Sequence, residues 1–311
     1  PVGSQSAAKT FLVTNMGPVA SSVLHMEYGG ADTAAFLTTE TGTCVFESVG
    51  LLAGESCTVD IHFRPATEGA KSGALIVSAD GSGVATATMT GTALPAVTQV
   101  ATGVAHTCAT NGSMAWCWGD NSTGQLGDGT FSSRLSPTTV PGLATVVEIA
   151  TGSWHTCARQ ADGGVLCWGA NDLGQLGDGS TTSRAVPTPV PGLTLVMQLA
   201  LASTHSCALR VDGTVFCWGS NVVGQLGDGS TTNRAVPTPV SDLTEVVEIT
   251  ADYTEAVSGF GYTCARRSNG TVLCWGHGAF GVAMSAIHDI PTLVPGLADI
   301  VGIRGGGQHI C

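Results

Sequence analysis

The stretch from 152 to 193 reads GSWHTCARQADGGVLCWGANDLGQLGDGSTTSRAVPTPVPGL, and its words return along the chain. GQLGDGSTT stands at 174–182 and again at 224–232. A degraded copy begins at Gly103, a more altered one at Gly261, and a fifth begins at Val301. A fixed period of roughly 50 residues is the signature of a repeat architecture.

Each copy contains the same short segments, separated by turn residues. The second complete copy shows them in order: VVEIATG (146–152), HTCARQ (155–160), GVLCWG (164–169) and PTPVPGL (187–193). Four short strands per unit are typical of a propeller blade. A single blade cannot bury both of its faces, so we expect neighbouring blades to stack.

The cysteines follow the repeat. Pairs nine or ten residues apart bracket a turn in each copy: Cys108 and Cys117, Cys157 and Cys167, Cys207 and Cys217, Cys264 and Cys274. Such residues oppose each other on adjacent antiparallel strands, within disulfide range. Cys44 and Cys57 flank a loop and form a fifth candidate pair. Disulfides indicate an oxidising compartment. Cys311 aligns with the first cysteine of its repeat, which predicts that the sequence is cut short.

Zinc is the competing hypothesis for these cysteines. A histidine precedes the first cysteine by two residues in four copies: His106, His155, His205 and His309. Each blade offers at most one histidine and two cysteines, whereas zinc takes four ligands. Tyr262 replaces the histidine in the fourth copy. We therefore favour disulfides, and we expect each histidine ring to bond a backbone carbonyl.

Two other repeated residue types have a structural and a functional interpretation. Trp118, Trp168, Trp218 and Trp275 each follow a cysteine, and inter-blade core is favoured over an aromatic platform for sugars or bases. Asp128, Asp178 and Asp228 lie in the GQLGDG loops, where turn-forming glycine is favoured over calcium. No catalytic motif appears. The sequence predicts no metal, no cofactor and no enzyme activity.

Composition limits the partners. The net charge is −12, and Lys9 and Lys71 are the only lysines. A phosphate-backbone binder needs clustered basic residues, so nucleic acid is disfavoured. No apolar run reaches the ~18–20 residues that span a bilayer, so membrane insertion is not expected.

Residues before about 95 lack the repeat and contain strand-length apolar runs, among them the alternating CTVDIHF (57–63). This pattern predicts a β-sandwich. TNMG (14–17), GGADTAAF (29–36), LLAGESCTVDIHFRP (51–65) and GSGVATATMTGTAL (81–94) resemble the Hydin-like immunoglobulin-type module of bacterial surface and secreted proteins. The resemblance implies an Ig-like fold whose first strand begins before Pro1.

The words GQLGDG, HTCA and CWG resemble the regulator of chromosome condensation repeat family, which includes bacterial propellers of the β-lactamase inhibitor protein II type. The resemblance implies a propeller, usually seven-bladed, of which this chain carries four repeats and part of a fifth. The expected fold is all-β, with an Ig-like sandwich at 1–94, a linker at 95–97 and propeller repeats at 98–311. An unclosed blade leaves an edge open to another chain.

The fourth copy breaks the repeat. It carries extra residues between Ile249 and Gly261, and GAFGVAMSAIHDI (278–290) replaces the GQLGDG loop. Function concentrates on loops held by a rigid scaffold. The candidate partner-binding residues are Tyr253, Glu255, Phe260, Phe280 and His288.

These features predict a non-catalytic, secreted or cell-surface bacterial protein that serves protein recognition, adhesion or extracellular assembly, including self-assembly through the open blade edge. One alternative, implied by the family resemblance, is guanine nucleotide exchange on a small GTPase. Another is an enzyme inhibitor, or an accessory module of a longer secreted enzyme.

Overall fold

The computed structural model describes residues 4–39, 42–79, 82–93, 96–253, 261–278, 287–306 and 309–310. The chain divides into two compact units, Pro1–Ala96 and Val97–Cys311. Regular structure in the described residues is β-strand, apart from one 3-10 turn at Thr33–Ala35. No helix in these ranges has the length and apolar character that crossing a membrane requires.

The first unit contains two three-stranded antiparallel sheets, ordered β1-β4-β3 and β2-β5-β6. Their strands are β1 (Lys9–Thr14), β2 (Leu24–Gly29), β3 (Phe36–Thr39), β4 (Ser56–Phe63), β5 (Gly69–Ala79) and β6 (Ser82–Ala93). The alternation of β4 buries Val59 and Ile61, which share one core with Leu75 and Val77 of β5. The sheets therefore pack on each other, whereas the Ig-like, Hydin-like type stays a prediction.

The second unit contains four consecutive four-stranded antiparallel sheets, here called blades 1 to 4. Blade 1 comprises β7 (Gln99–Thr102), β8 (His106–Thr110), β9 (Ala115–Gly119) and β10 (Arg134–Thr139). Blade 2 comprises β11 (Val146–Thr151), β12 (His155–Gln160), β13 (Val165–Gly169) and β14 (Arg184–Pro189).

Blade 3 comprises β15 (Val196–Leu201), β16 (His205–Arg210), β17 (Val215–Gly219) and β18 (Arg234–Pro239). Blade 4 comprises β19 (Val246–Tyr253), β20 (Gly261–Arg267), β21 (Val272–His277) and β22 (Ile287–Leu293). Two short strands follow, β23 (Gly305–Gly306) and β24 (His309–Ile310). In each blade the strands pair in chain order, so the first and fourth strands form the two edges.

The apolar cores of this unit lie between blades. Leu126 and Cys108 of blade 1 share a core with Ile149 and Trp168 of blade 2. The same arrangement recurs between blades 2 and 3 and between blades 3 and 4. The first strands of neighbouring blades also contact each other. Stacking of blades therefore supplies the burial that one sheet lacks, as the repeat predicted.

Candidate functional site

Disulfides link the cysteines paired by the sequence pattern. The bonds are Cys44–Cys57, Cys108–Cys117, Cys157–Cys167, Cys207–Cys217 and Cys264–Cys274. Within the blades the paired Cα atoms oppose each other at 4.1 Å. A disulfide sulfur is not the thiolate that zinc binds. Across the described ranges, no three His, Cys, Asp or Glu side chains cluster to hold a metal ion.

The repeated histidines connect one blade to the next. Each ring nitrogen Nε2 meets a hydroxyl one repeat later: His106 to Thr156 at 2.9 Å, His155 to Ser206 at 2.8 Å and His205 to Thr263 at 2.8 Å. For these three histidines the expectation of a direct bond to a backbone carbonyl was wrong, and the side chain of His309 lies outside the described residues. The hydroxyl intervenes because it lies on the neighbouring blade and itself reaches a carbonyl.

That carbonyl belongs to the glutamine of the GQLG loop. Ser206 Oγ donates to the Gln175 carbonyl oxygen at 2.9 Å, and the Trp218 indole nitrogen donates to the same oxygen at 2.9 Å. Thr156 and Trp168 bind the Gln125 carbonyl in the same way. Because the hydroxyl proton is used by the carbonyl, the hydroxyl accepts from a protonated Nε2. His106, His155 and His205, here called the relay histidines, are thus neutral tautomers that carry their proton on Nε2.

Burial keeps these imidazoles neutral. It lowers the pKa of His106 to about 4, and lowers the pKa values of His155 and His205 to about 3 each. The cause is desolvation of the charged form. A proton shuttle near neutral pH needs a histidine that titrates there, so this set is better suited to holding blades together.

The tryptophans and glycines of the loop complete the same interface. Trp168, Trp218 and Trp275 are fully buried, which confirms the core interpretation for these three, whereas Trp118 is half-buried. Gly177 has φ of +72°, and a Cβ there would lie 2.7 Å from the Trp218 indole nitrogen. Glycine is therefore required both by the turn and by the indole.

The loop aspartates bind arginine from the fourth strand of their own blade. Asp178 Oδ2 lies 2.8 Å from Arg184 NH2, and the corresponding pairs are Asp128–Arg134 and Asp228–Arg234. Burial alone would raise the pKa of Asp178, but hydrogen bonds from Ser180 and Arg184 outweigh it and lower the pKa. This cation-bound carboxylate organises the loop, which supports the turn interpretation.

The repeats match a known family model. Residues 114–159, 162–209 and 212–257 match the regulator of chromosome condensation (RCC1) repeat, and 146–175 match a second model of the same repeat. The chain contains RCC1 repeats. A comparison with curated protein sequences returned no match.

Three solved structures resemble the chain. Human WBSCR16 has 24% identity and a TM-score of 0.59, over 69% of this chain and 58% of that protein. Yeast RCC1 (Prp20), solved with Kap60, has 19% identity and a TM-score of 0.60, over 78% and 64%. Prp20p from Saccharomyces cerevisiae has 19% identity and a TM-score of 0.58, over 78% and 66%.

These likenesses identify the second unit, here called the RCC1 unit, as a propeller fold. The chain spans 58% to 66% of the length of these solved proteins. The structure of Prp20p was described together with its binding to Gsp1p and histones.

The predicted partner-binding loop falls mostly on residues that the structure does not describe. Glu255, Phe260 and Phe280 lie outside the described residues, as does the side chain of Tyr253 at the end of β19. His288 lies in β22 opposite Gly276, at the register position that Arg184 occupies opposite Gly169 in blade 2. Its Nδ1 lies 3.2 Å from Thr292 Oγ1. The loop therefore stays a prediction.

A different surface residue, among those that the structure describes, differs from the residues at the same position in the other copies. Trp154 immediately precedes the relay histidine, where the other complete copies have Ala105, Thr204 and Gly261. It is the one exposed residue among the six tryptophans, with 38% of its surface accessible. The sequence signal was its mismatch with small residues at that position, and comparison of the copies residue by residue would have found it.

Trp154 lines a groove of about 360 Å³ that is built by three blades. Its other lining residues are Ser122 and Thr123 of blade 1, Ala170, Asp172, Leu173 and Gln175 of blade 2, and Ser203 and Thr204 of blade 3. We call this cavity the Trp154 groove. The main-chain oxygen of Trp154 accepts hydrogen bonds from Ala170 N at 2.9 Å and Thr123 Oγ1 at 3.1 Å. These bonds fix the backbone that carries the indole.

Proposed function

We propose that this protein is a non-catalytic, secreted or cell-surface scaffold whose RCC1 propeller repeats bind another protein. The main observation behind this proposal is that the repeated His, hydroxyl, Trp and Gln groups form hydrogen bonds between one blade and the next. These groups hold the scaffold rigid. Recognition then falls to surface positions where the copies differ.

The disulfides support an extracellular location. Five bonds join ten of the eleven cysteines, and four of the bonds staple blades. Structural disulfides persist in oxidising compartments and are rare in the cytosol and nucleus. Intact mass of protein from its native source should increase on reduction by two hydrogens for each bond. Fully reduced cysteines in that protein would contradict the extracellular location.

Solved neighbours support a protein partner, since Prp20p is described with Gsp1p and histones, and with Kap60. The test is cross-linking of the intact protein on its native cell surface, through a photoreactive residue at Trp154 or at Val222. A single partner protein captured at one of these positions, and competed by unlabelled protein, is expected. The same photoreactive residue is then placed at other surface positions throughout blades 1 to 4. Absence of a specific adduct from all of these positions would contradict the scaffold function.

Guanine nucleotide exchange is the main rival. Release of a labelled guanine nucleotide from a small GTPase should stay at its intrinsic rate when this protein is added. Acceleration by catalytic amounts would overturn the non-catalytic proposal and favour the exchange factor. The enzyme-inhibitor alternative is tested separately: the protein is added to a turnover assay of a secreted enzyme, and a fall in the rate would favour it.

Self-assembly is a second candidate, favoured by one exposed face. Val100 of blade 1 is 56% exposed, whereas residues at the same register in blades 2 to 4 are buried, namely Ile149, Leu199 and Ile249. Another chain that stacks there would bury this apolar side chain. Sedimentation should show association that Val100→Glu abolishes and Val211→Glu, in an exposed turn, leaves intact. A monomer at all concentrations would exclude it.

A further inference from the structure

We propose that the Trp154 groove binds one sugar unit of a neutral carbohydrate. This inference goes beyond the scaffold function, because it assigns a ligand class other than protein to one groove of the repeats. Three features of the groove carry it: a partly exposed indole, a hydrogen-bond acceptor and a hydrogen-bond donor on a buried residue.

The aromatic face is the Trp154 indole. Trp154 is partly exposed and lines this groove. An indole offers a flat apolar face, which suits the C–H face of a pyranose ring. The other walls carry hydroxyl groups of Ser203 and Thr204, which both donate and accept hydrogen bonds.

The donor is the side-chain amide of Gln175. This residue is 4% exposed, and its Oε1 accepts from Leu173 N at 2.9 Å, which leaves Nε2 as the remaining donor. In blade 1 the matching Gln125 Nε2 donates to Asp120 at 2.7 Å, and in blade 3 Gln225 Nε2 donates to Ser220 at 3.2 Å. Blade 2 has Ala170 at that position. Among the described residues, Gln175 Nε2 has no hydrogen-bond partner, and Gln175 lines the groove.

The acceptor is the Asp172 carboxylate, which is exposed at the rim. A hydroxylated ring matches donor, acceptor and aromatic face together. A lysine or arginine side chain would suit Trp154 and Asp172 but would leave the Gln175 donor without an acceptor. No basic residue lines the groove, so an anionic sugar would meet Asp172 without compensation. A neutral glycan is therefore the ligand class that the groove favours.

The experiment uses the full chain on an array of neutral glycans, followed by titration of the best-binding glycan by isothermal calorimetry. Trp154→Thr copies the residue of the next repeat and should weaken binding by at least about tenfold. Ala170→Asp copies Asp120, occupies the Gln175 donor within the protein and should weaken binding by about tenfold while Trp154 is kept. Val222→Ser, at the position that corresponds to Asp172 in blade 3, is the control and should bind like the parent protein.

Thermal unfolding of each variant establishes that it is folded. Absence of binding to any glycan of the array would overturn the proposal. Glycan binding by Trp154→Thr and by Ala170→Asp that equals binding by the parent protein would overturn it as well, because the sugar would then lie elsewhere. Binding of an arginine-rich peptide, and not of a glycan, in a Trp154-dependent manner would replace it by a basic-peptide site. None of these outcomes decides whether the protein also binds a protein partner.

Discussion

His155 of blade 2 and Ser206 of blade 3 meet at 2.8 Å between Nε2 and Oγ, and this bond joins the two blades. The Ser206 hydroxyl donates a hydrogen bond to the Gln175 carbonyl oxygen of blade 2 at 2.9 Å. The hydroxyl thus sits between two groups of the preceding blade, one a donor and one an acceptor. All three groups are buried, so the loss of any one leaves another without a partner.

Removal of the Ser206 hydroxyl should therefore destabilise the propeller. Ser206→Ala leaves the His155 N–H buried and unpaired, which costs about 1–3 kcal/mol. Chemical denaturation, with the disulfides kept intact, measures the free energy of unfolding. Thr181→Ala, at an exposed loop position, is the control and should change it by less than about 0.5 kcal/mol. Equal stabilities of the two variants would contradict a structural role of the relay.

Acid should weaken the fold through the buried histidines. Their pKa values are about 3 to 4 in the folded protein, below the ordinary value of 6.5, so the unfolded chain takes up protons first as the pH falls. Their contribution is complete above about pH 6.5 and is lost towards the folded pKa. The slope is up to about 1.4 kcal/mol per pH unit for each histidine.

Denaturation midpoints between pH 6.5 and 4.5 measure this slope, in a range above the lowered pKa values of the loop aspartates. His155→Gln keeps a side-chain donor but does not titrate. It should have a shallower pH dependence than the parent protein. An unchanged slope would mean that His155 does not contribute to acid sensitivity.

The blade disulfides should stabilise each sheet separately. Replacement of both members of a pair, Cys157→Ala with Cys167→Ala, should lower the free energy of unfolding by about 2–4 kcal/mol. The double variant avoids an unpaired thiol. Removal of the Cys44–Cys57 bond, in the other compact unit, serves as the comparison and should leave the unfolding of the RCC1 unit unchanged. A shift of both transitions by either variant would show that the units unfold together.

Gly152 should tolerate no side chain. A Cβ there would overlap the His155 ring and the Ala202 carbonyl of the next blade. Gly152→Ala should cost more than about 1 kcal/mol because neither neighbour is free to move. In Gly302→Ala the new Cβ would approach other atoms only to 3.9 Å, so it is the control. Melting temperatures of the two variants give the comparison. Equal values would contradict the close contact of Gly152 with His155 and Ala202.

The local parts of the fold were predictable because they depend on neighbours in the sequence. Alternation and a turn at Asp162 place Cys157 opposite Cys167, whatever the rest of the chain does. The repeat likewise placed four strands in each unit, and low-charge apolar segments indicated that blades must stack. The histidine partner was missed because Ser206 lies 51 residues away, on another sheet.

The sequence by itself determined the period, the strands, the disulfide pairs and the buried tryptophans, since these follow from short-range geometry and from the apolar pattern. Only the tertiary structure decided which groups meet between blades. Three blades converge to form the Trp154 groove, and there Ala170 leaves Gln175 without the partner that Asp120 gives Gln125. Such a site depends on how the sheets stack, and stacking is set by packing of whole faces and not by any one segment.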